Sequence, residues 1–168
     1  MHKGYNKNIN FENIKLAVYD FDGVMTNNKV YIDANGNEFV QVNRADGLAI
    51  SLIRKIGIDQ IIISSEINKV VSKRAEKLKI VCLQGIMSKK DALEKYCKQN
   101  KIHFKSTIFV GNDINDKDVM EIVGLTFCPS DAHNSIKSMA NYNLKSKGGE
   151  GVIRELYDLI NLNHSITN

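Results

Sequence analysis

Two aspartates, Asp20 and Asp22, lie at the end of an apolar run that is typical of a buried strand. Alternate residues of an extended chain share a face, so both carboxylates are expected to point the same way. Their charges repel, and a divalent cation with a preference for oxygen ligands, such as Mg²⁺, would relieve that repulsion. Asp20 could then attack phosphorus as a nucleophile while Asp22 gives and takes protons. Asp and Gly are also common in turns and helix caps, so this motif by itself leaves both interpretations open.

Polar side chains also follow other predicted strands or open predicted helices. A lysine at the start of a helix opposes the helix dipole, and a bound anion would compensate for this. Because the carboxyl ends of parallel strands meet at one edge of a sheet, we expect these side chains to gather there. Loop serines, a solvated lysine and a helix cap are the ordinary alternatives. The residues concerned are Ser64, Ser65, Glu66, Lys89, Asn112, Asp113 and Asp116.

Strand-like and helix-like segments alternate along the chain, which predicts an α/β fold with a Rossmann-like, mostly parallel sheet and helices on both faces. Asn35-Gly36 between two extended runs predicts a β-hairpin flap. The predicted strands are 14–20, 60–64, 79–83, 106–110 and, as the last core strand, 125–128. The predicted helices are 46–57, 68–78, 88–99, 115–123 and 151–162, and the hairpin is 29–42.

The first predicted helix has Asp46 as its N-cap and ends at Gly57. Its predicted apolar face consists of Leu48, Leu52, Ile53 and Ile56. Residues 1–13 are predicted to be a loose leader and residues 163–168 a frayed tail, so that residues 1–168 form one domain.

Composition excludes several classes of protein. The chain of 168 residues is 43% hydrophobic and carries a formal charge of +4, which fits one domain with a proper core. No basic stripe with interleaved aromatics suggests a nucleic-acid partner, and no apolar run approaches the ~18 residues of a membrane helix. Three widely spaced cysteines fit a reducing compartment, and the polar N-terminus does not resemble a signal peptide. We therefore predict a cytoplasmic protein.

The motifs together, in their order and spacing, resemble the haloacid dehalogenase superfamily of phosphatases. Asp20 resembles its nucleophile, Asp22 its acid/base, Ser64 its phosphate-binding hydroxyl and Lys89 its phosphate-binding lysine. The stretch 111–116 resembles the acidic metal motif. The resemblance implies a Mg²⁺ ion held by Asp20, by the backbone carbonyl of Asp22 and by Asn112, with Asp113 and Asp116 behind these ligands.

The resemblance extends to one subfamily, the 3-deoxy-manno-octulosonate 8-phosphate phosphatases. It implies a phosphorylated α-keto sugar acid as substrate, with contacts at Asp46 and Gly47. It also implies a homotetramer without a large cap domain, in which the hairpin and a neighbouring subunit cover the site. The segments that carry this resemblance are 22–26, 31–39, 43–47, 130–133, 148–151 and 154–155.

The sequence departs from related phosphatases at two places. Asn112 stands where many relatives have aspartate, which removes a negative charge from the metal site. Ser64-Ser65-Glu66 replaces the usual Thr-Gly-Arg, and Glu66 with Arg74 and Lys77 looks more like relatives that act on nine-carbon, sialic-type 9-phosphates. A solvated helix face is the alternative for these three residues. A non-catalytic assembly domain and a receiver-type phosphoacceptor domain remain open as alternatives to the phosphatase.

Overall fold

A six-stranded parallel sheet organises residues 9–166, the part of the chain that the computed structural model describes; side chains are described from residue 9 to residue 163. The strand order is β5-β4-β1-β6-β7-β8, with β1 in the interior. The α/β prediction is confirmed. The strands are β1 (Leu16–Tyr19), β4 (Asp59–Ile63), β5 (Val81–Leu83), β6 (Thr107–Val110), β7 (Leu125–Cys128) and β8 (Tyr142–Asn143), and the remaining two, β2 (Tyr31–Ile32) and β3 (Glu38–Phe39), form the hairpin.

Both faces of the sheet are buried. Along β1, Ala17 and Tyr19 pack into one core, and Leu16 and Val18 pack into the other, because successive side chains of a strand point to opposite faces. Burial on both faces explains why the strands read as unbroken apolar runs. The first core packs on α1 (Arg44–Lys55), α2 (Lys69–Leu78) and α6 (Val152–Ile166), and the second on α3 (Lys89–Asn100), α4 (Lys117–Met120) and α5 (Asn134–Met139).

The predicted hairpin forms, with Tyr31 paired to Phe39 in antiparallel register. Asp33 stabilises its turn, since its Oδ1 accepts hydrogen bonds from the backbone N–H groups of Asn35 and Asn37 at 2.8 and 2.9 Å. Within the described residues the hairpin is the only element between β1 and α1, so no large cap domain stands there. No helix in the described part is both long enough and apolar enough to span a membrane.

The prediction for the first helix was wrong in its cap and in part of its buried face. Asn43 is the N-cap, and its side chain accepts a hydrogen bond from Ala45 N at 2.8 Å. Asp46 lies inside the first turn and is buried, whereas Leu48 and Ile56 are 53% and 39% exposed. Ile53 is buried as predicted, and the other buried residues of the helix are Asp46, Ala49 and Ile50. Asp46 points inward and accepts a hydrogen bond from Arg154 N in the first turn of α6, a contact that the apolar pattern could not reveal.

Other boundaries also differ from prediction. The helix predicted at 115–123 is a 3-10 turn, Ile114–Asp116, followed by the short α4. Helix α5 and strand β8 were not predicted, so β7 is not the last strand. Ile9 and Phe11, in the predicted leader, are buried, and α6 continues into the predicted tail. Residues 1–8 and 167–168 of that leader and tail lie outside the described part.

Candidate active site

An open cleft of about 470 Å³ lies at the carboxyl ends of β1, β4 and β6. Tyr19 pairs with Ile62 on one side and Val110 on the other, so the residues just beyond these strand ends come together. Strands β4 and β6 lie on opposite sides of β1. In open parallel sheets, ligands bind at the carboxyl ends of the strands where the strand order reverses in this way. Its lining residues include Asp20, Asp22, Glu38, Ser64, Ser65, Glu66, Asn68, Asn112 and Asp113.

Asp20 is buried, and its two oxygens have different surroundings. Oδ1 accepts a hydrogen bond from Phe21 N at 2.8 Å and lies 2.8 Å from Lys89 Nζ. The same ammonium lies 2.6 Å from Asp116 Oδ1, so one buried lysine serves two carboxylates. Oδ2 of Asp20 faces Asn112 instead. The carboxylate is thus held through one oxygen, and the other is turned towards the metal-binding residues predicted above.

Burial raises the pKa of Asp20 to about 7, and the charge of Asp116 adds to this, while the ammonium of Lys89 acts in the opposite direction. Burial lowers the pKa of Lys89, but the charges of Asp20 and Asp116 outweigh burial and raise it overall. Lys89 therefore stays an ammonium. Its unfavourable position at the start of α3 is compensated by two carboxylates of its own chain, in addition to any anion that binds.

Asp22 lies on a tight turn that follows β1. The carbonyl oxygen of Phe21 accepts hydrogen bonds from the N–H groups of Val24, Met25 and Thr26 at 3.4, 2.9 and 3.2 Å. The Asp22 carboxylate is half-buried, with Thr26 Oγ1 at 3.4 Å. Partial burial, with the charge of Glu66, raises the pKa of Asp22. A raised pKa suits a group that must donate a proton near neutral pH.

Three oxygens converge beside Asp20. The side-chain oxygen of Asn112 lies 3.1 Å from Asp20 Oδ2 and 2.9 Å from the carbonyl oxygen of Asp22. Turned over, the amide nitrogen would donate to both, so without a cation the opposite orientation is favoured. Oxygens at adjacent corners of a Mg²⁺ octahedron are about 2.9 Å apart, given Mg–O distances of 2.0–2.1 Å. The spacing therefore fits a Mg²⁺ ion, which Asp20 Oδ2, the Asp22 carbonyl oxygen and the Asn112 amide oxygen would hold.

Glycine is required next to these ligands. Gly23 has a φ of +81°, and a Cβ there would overlap the side chain of Asn112. No three His, Cys, Asp or Glu side chains form a metal cluster in the described part of the chain. The candidate metal site is instead built from a carboxylate, a backbone carbonyl and an amide, which are oxygen ligands that Mg²⁺ accepts.

Asp116 lies behind the candidate ligands and orders their loop. Its Oδ2 accepts from the N–H groups of Asn112 and Asp113 at 2.8 and 3.2 Å, while its Oδ1 pairs with Lys89. It is fully buried. Asp113 lines the cleft, and its side chain caps the turn Ile114–Asp116. Asp116 thereby connects the lysine that holds Asp20 with the loop that carries Asn112.

The stretch after β4 lies on the opposite wall of the cleft. Ser64 is buried, and its Oγ accepts a hydrogen bond from Glu66 N at 3.2 Å. Ser65 and Glu66 are exposed at the rim, where Asn115 Nδ2 lies 3.3 Å from Ser65 Oγ. The structure brings all three predicted residues to the cleft.

Four other predicted substrate contacts do not line the cleft of this chain: Asp46, Gly47, Arg74 and Lys77. Asp46 Oδ1 accepts from Arg154 N at 3.0 Å, and burial raises its pKa to about 6. Arg74 donates to the carbonyl oxygen of Asn43 at 2.9 Å. Gly47 lies against the side chains of Leu78 and Arg74, and Lys77 is exposed. Within one chain, Asp46 and Arg74 connect helices.

Sequence reasoning missed Glu38 and Asn68 as lining residues. Asn68 Nδ2 donates to Glu38 Oε2 at 2.7 Å, while its Oδ1 accepts from Val70 N at 2.9 Å as the N-cap of α2. One asparagine therefore holds the hairpin against the start of a helix. The helix cap was predictable from the sequence, but the contact with the hairpin spans 30 residues and left no local pattern.

Comparison with known proteins gives concordant results. A family model for haloacid dehalogenase-like hydrolases matches residues 58–156. The 3-deoxy-D-manno-octulosonate 8-phosphate phosphatase of Salmonella typhi is 36% identical over 89% of this chain and 80% of its own length. The crystal structure of the same enzyme from Yersinia pestis superposes with a TM-score of 0.89 at 33% identity, covering 92% of this chain and 84% of that one.

The enzyme of that name from Moraxella catarrhalis was solved in complex with a magnesium ion, a phosphate ion and a KDO molecule. It superposes with a TM-score of 0.87 at 25% identity, covering 91% of this chain and 88% of that one.

Proposed function

Because this chain belongs to the haloacid dehalogenase-like hydrolases, and within them to the 3-deoxy-D-manno-octulosonate 8-phosphate phosphatase-like group, we propose that it is a Mg²⁺-dependent phosphomonoesterase. Its substrate is the phosphate ester of a 3-deoxy α-keto sugar acid. The proposal depends on one observation, that the two oxygens of the Asp20 carboxylate have different neighbours. Oδ1 lies next to Lys89, and Oδ2 lies among the candidate metal ligands.

In this mechanism Asp20 Oδ1 attacks phosphorus, forming an aspartyl-phosphate. Asp22 protonates the sugar oxygen as it leaves and then takes a proton from the water that hydrolyses the intermediate. Ser64 lines the cleft and would hold the transferring phosphoryl group directly, because charge on its oxygens must be offset by fixed donors. Lys89 does not line the cleft; it would offset the same charge from behind Asp20 Oδ1, 2.8 Å from its Nζ. The raised pKa of Asp22 supports the first of its two roles.

Asp20 Oδ2, the Asp22 carbonyl and the Asn112 amide would hold the Mg²⁺ ion. When bound, the ion offsets the negative charge of the phosphoryl group. The charge of the cleft lining supports the need for a bound cation. It contains carboxylates from Asp20, Asp22, Glu38, Glu66 and Asp113 but no Lys, Arg or His among the described lining residues. An anionic ester would be repelled from such a surface without a cation.

Two considerations bear on whether the substrate is an eight-carbon or a nine-carbon sugar acid, and they favour different answers. The curated relatives act on octulosonate 8-phosphate, by their names, which favours an eight-carbon acid. Glu66 lies at the rim of the cleft two residues after Ser64, where it can contact the sugar next to the phosphate. Its resemblance to the relatives that act on nine-carbon 9-phosphates favours a nine-carbon acid. The homotetramer stays a prediction; the exposed apolar residues of the hairpin, Tyr31, Ile32 and Phe39, support it.

Phosphate release tests the proposal. The purified protein is incubated with octulosonate 8-phosphate and with a nonulosonate 9-phosphate, with Mg²⁺ and with a chelator. Turnover of either ester that requires Mg²⁺ supports the phosphatase. No turnover of either ester, with Mg²⁺ present, would favour the non-catalytic assembly domain. The receiver-type alternative is set aside because the family model is that of a hydrolase.

Replacing Asn112 by aspartate is expected to tighten Mg²⁺ binding about tenfold, because a carboxylate takes the place of a neutral amide oxygen. The Mg²⁺ concentration at half-maximal activity measures the effect. Asn115→Asp is the matched control, since it adds the same charge to the cleft lining away from the three converging oxygens. An equal gain in both variants, or none in Asn112→Asp, would remove Asn112 from the ligand set.

Replacing Glu66 by glycine is expected to lower the preference for nine-carbon over eight-carbon substrates about tenfold, because a polar contact made by only one sugar gives the larger discrimination. The measurement is the ratio of the two kcat/KM values at one pH. Glu66 also raises the pKa of Asp22, but that effect acts on both substrates and cancels in the ratio. Glu66→Gln keeps the size of the side chain and serves as the control. An unchanged ratio in the glycine variant would leave the eight-carbon acid as the substrate.

A further inference from the structure

Two segments that the proposed chemistry does not use, residues 130–133 and 145–151, lie behind the candidate metal ligands. They are termed here the support loop and the glycine loop. Residues 130–133 and, within the glycine loop, residues 148–151 are segments that carry the resemblance described above. In the structure they are joined to each other, since Ser130 N donates to Ser146 O at 3.0 Å and Gly148 N donates to Asp131 Oδ1 at 2.9 Å.

The support loop holds the loop that carries Asn112. His133 N donates to the carbonyl oxygen of Asn112 at 2.8 Å. This bond fixes the backbone of the residue whose side-chain oxygen faces Asp20 and Asp22. The support loop therefore touches one of the two loops that contribute candidate ligands.

The glycine loop packs on the second loop that contributes a candidate ligand, the turn that contains Asp22 and Gly23. Gly149 N donates to the carbonyl oxygen of Val24 at 3.0 Å. A Cβ on Gly148 would overlap the carbonyl oxygen of Gly23 and would lie 2.8 Å from that of Thr26. Gly148 does not have a positive φ, so contact with the Asp22–Gly23 turn, and not backbone conformation, excludes a side chain.

We propose that Asp131 is a positioning residue that sets the distance between the Asp22 carbonyl and the Asn112 amide, and thereby the affinity for Mg²⁺. The inference rests on the proposed function. Asp131 is exposed and outside the cleft lining, but it joins the support loop, which holds Asn112, to the glycine loop, which holds the Asp22–Gly23 turn. Mg²⁺ demands near-ideal octahedral geometry, so ligands on two separate loops must be kept in register.

The test measures Mg²⁺ binding directly, by isothermal titration calorimetry on the wild type, Asp131→Ala and Asp131→Asn. Alanine removes the acceptor for Gly148 N–H, and we expect the Kd for Mg²⁺ to rise about tenfold, as for other residues that orient metal ligands. Asparagine retains an acceptor oxygen without the charge, and its Kd is expected to stay within about twofold of wild type. At saturating Mg²⁺, Asp131→Ala is expected to recover its kcat, because the reacting groups are unchanged.

A purely structural role would give a different result. If Asp131→Ala lowered the melting temperature of the metal-free protein but left the Kd unchanged, the proposal would be overturned. An increase in Kd for Asp131→Asn equal to that for Asp131→Ala would assign the effect to charge and would overturn it too. Should the wild type itself bind no Mg²⁺, the proposed function would fail and this inference with it.

Gly148→Ala provides a second test from the other side of the same contact. The added methyl group must displace the Gly23 carbonyl, so we expect a rise in Kd of between ~10-fold and ~100-fold. Unchanged Mg²⁺ binding in a folded Gly148→Ala variant would contradict the proposal. If that variant does not fold, the Asp131 pair decides the question.

Discussion

Asp20→Asn is expected to lower kcat/KM by about 10⁴-fold or more while leaving the protein at least as stable as wild type. An amide is a poor nucleophile and a weaker ligand for a cation, so both proposed tasks of Asp20 are lost. Lys89 keeps Asp116 as its partner at 2.6 Å, so no buried charge is left unpaired.

The sign of the stability effect follows from the pKa of Asp20. In the folded protein it is raised from 3.8 to about 7, mainly by burial, so the folded state disfavours the ionised carboxylate. Between these two values the folded state binds more protons than the unfolded state, and the contribution of Asp20 to stability falls as pH rises. Removing the charge at pH 8 should therefore raise the melting temperature or leave it unchanged.

Steady-state kinetics at pH 8 check the expected loss of kcat/KM. Thermal unfolding at pH 8, measured without Mg²⁺, checks the expected melting temperature. Asp22→Asn is the comparison variant, because it is expected to retain phosphate and metal binding but to lose protonation of the leaving oxygen. Its defect should be smaller for an aryl phosphate, whose leaving group needs less protonation, whereas Asp20→Asn should fail on every ester. Wild-type turnover in either variant would show that the proposed mechanism is wrong.

Lys89→Met is expected to lower kcat/KM about 10³-fold, the size of effect seen when a fixed donor to a developing charge is lost. It should also lower the free energy of unfolding by about 3 kcal/mol at pH 8, because Asp20 and Asp116 would be buried without their shared cation. Loss of activity and loss of stability are thus expected together, in contrast to Asp20→Asn.

The pH dependence of this variant has a definite sign. The ammonium of Lys89 lowers the pKa of Asp20, so its removal should raise that pKa further above about 7. Protonation of Asp20 relieves the repulsion, and the loss of stability should be smaller at pH 6 than at pH 8. The residual activity should likewise need a higher pH, because only the ionised Asp20 can attack.

Chemical denaturation at the two pH values and a pH profile of kcat/KM measure these effects. Lys90→Met is the matched control, since it makes the same substitution one residue further along α3, away from both carboxylates. A stability loss in Lys89→Met that is equal at pH 6 and pH 8 would mean that Asp20 and Asp116 do not depend on Lys89 for their charge balance.

The sequence by itself determined five of the six strands of the sheet and the position of the cleft. Apolar runs that end in Asp20, Ser64 and Gly111 predicted three strands whose carboxyl ends meet, and the structure aligns those ends through the pairs of Tyr19. These predictions succeed because they depend on residues near one another in the chain. Burial on both faces demands an apolar run, and glycine with polar residues ends it.

Only the tertiary structure decided what individual polar side chains do. Asp46 suits a helix cap by its type, yet its partner is the N–H of Arg154 at the start of another helix, 108 residues away. Lys89 and Asp116 are 27 residues apart, and the orientation of the Asn112 amide depends on Asp20 and Asp22. A hydrogen bond or ion pair depends on distances of a few tenths of an ångström between groups that folding brings together, and no local pattern of residue types encodes such a distance.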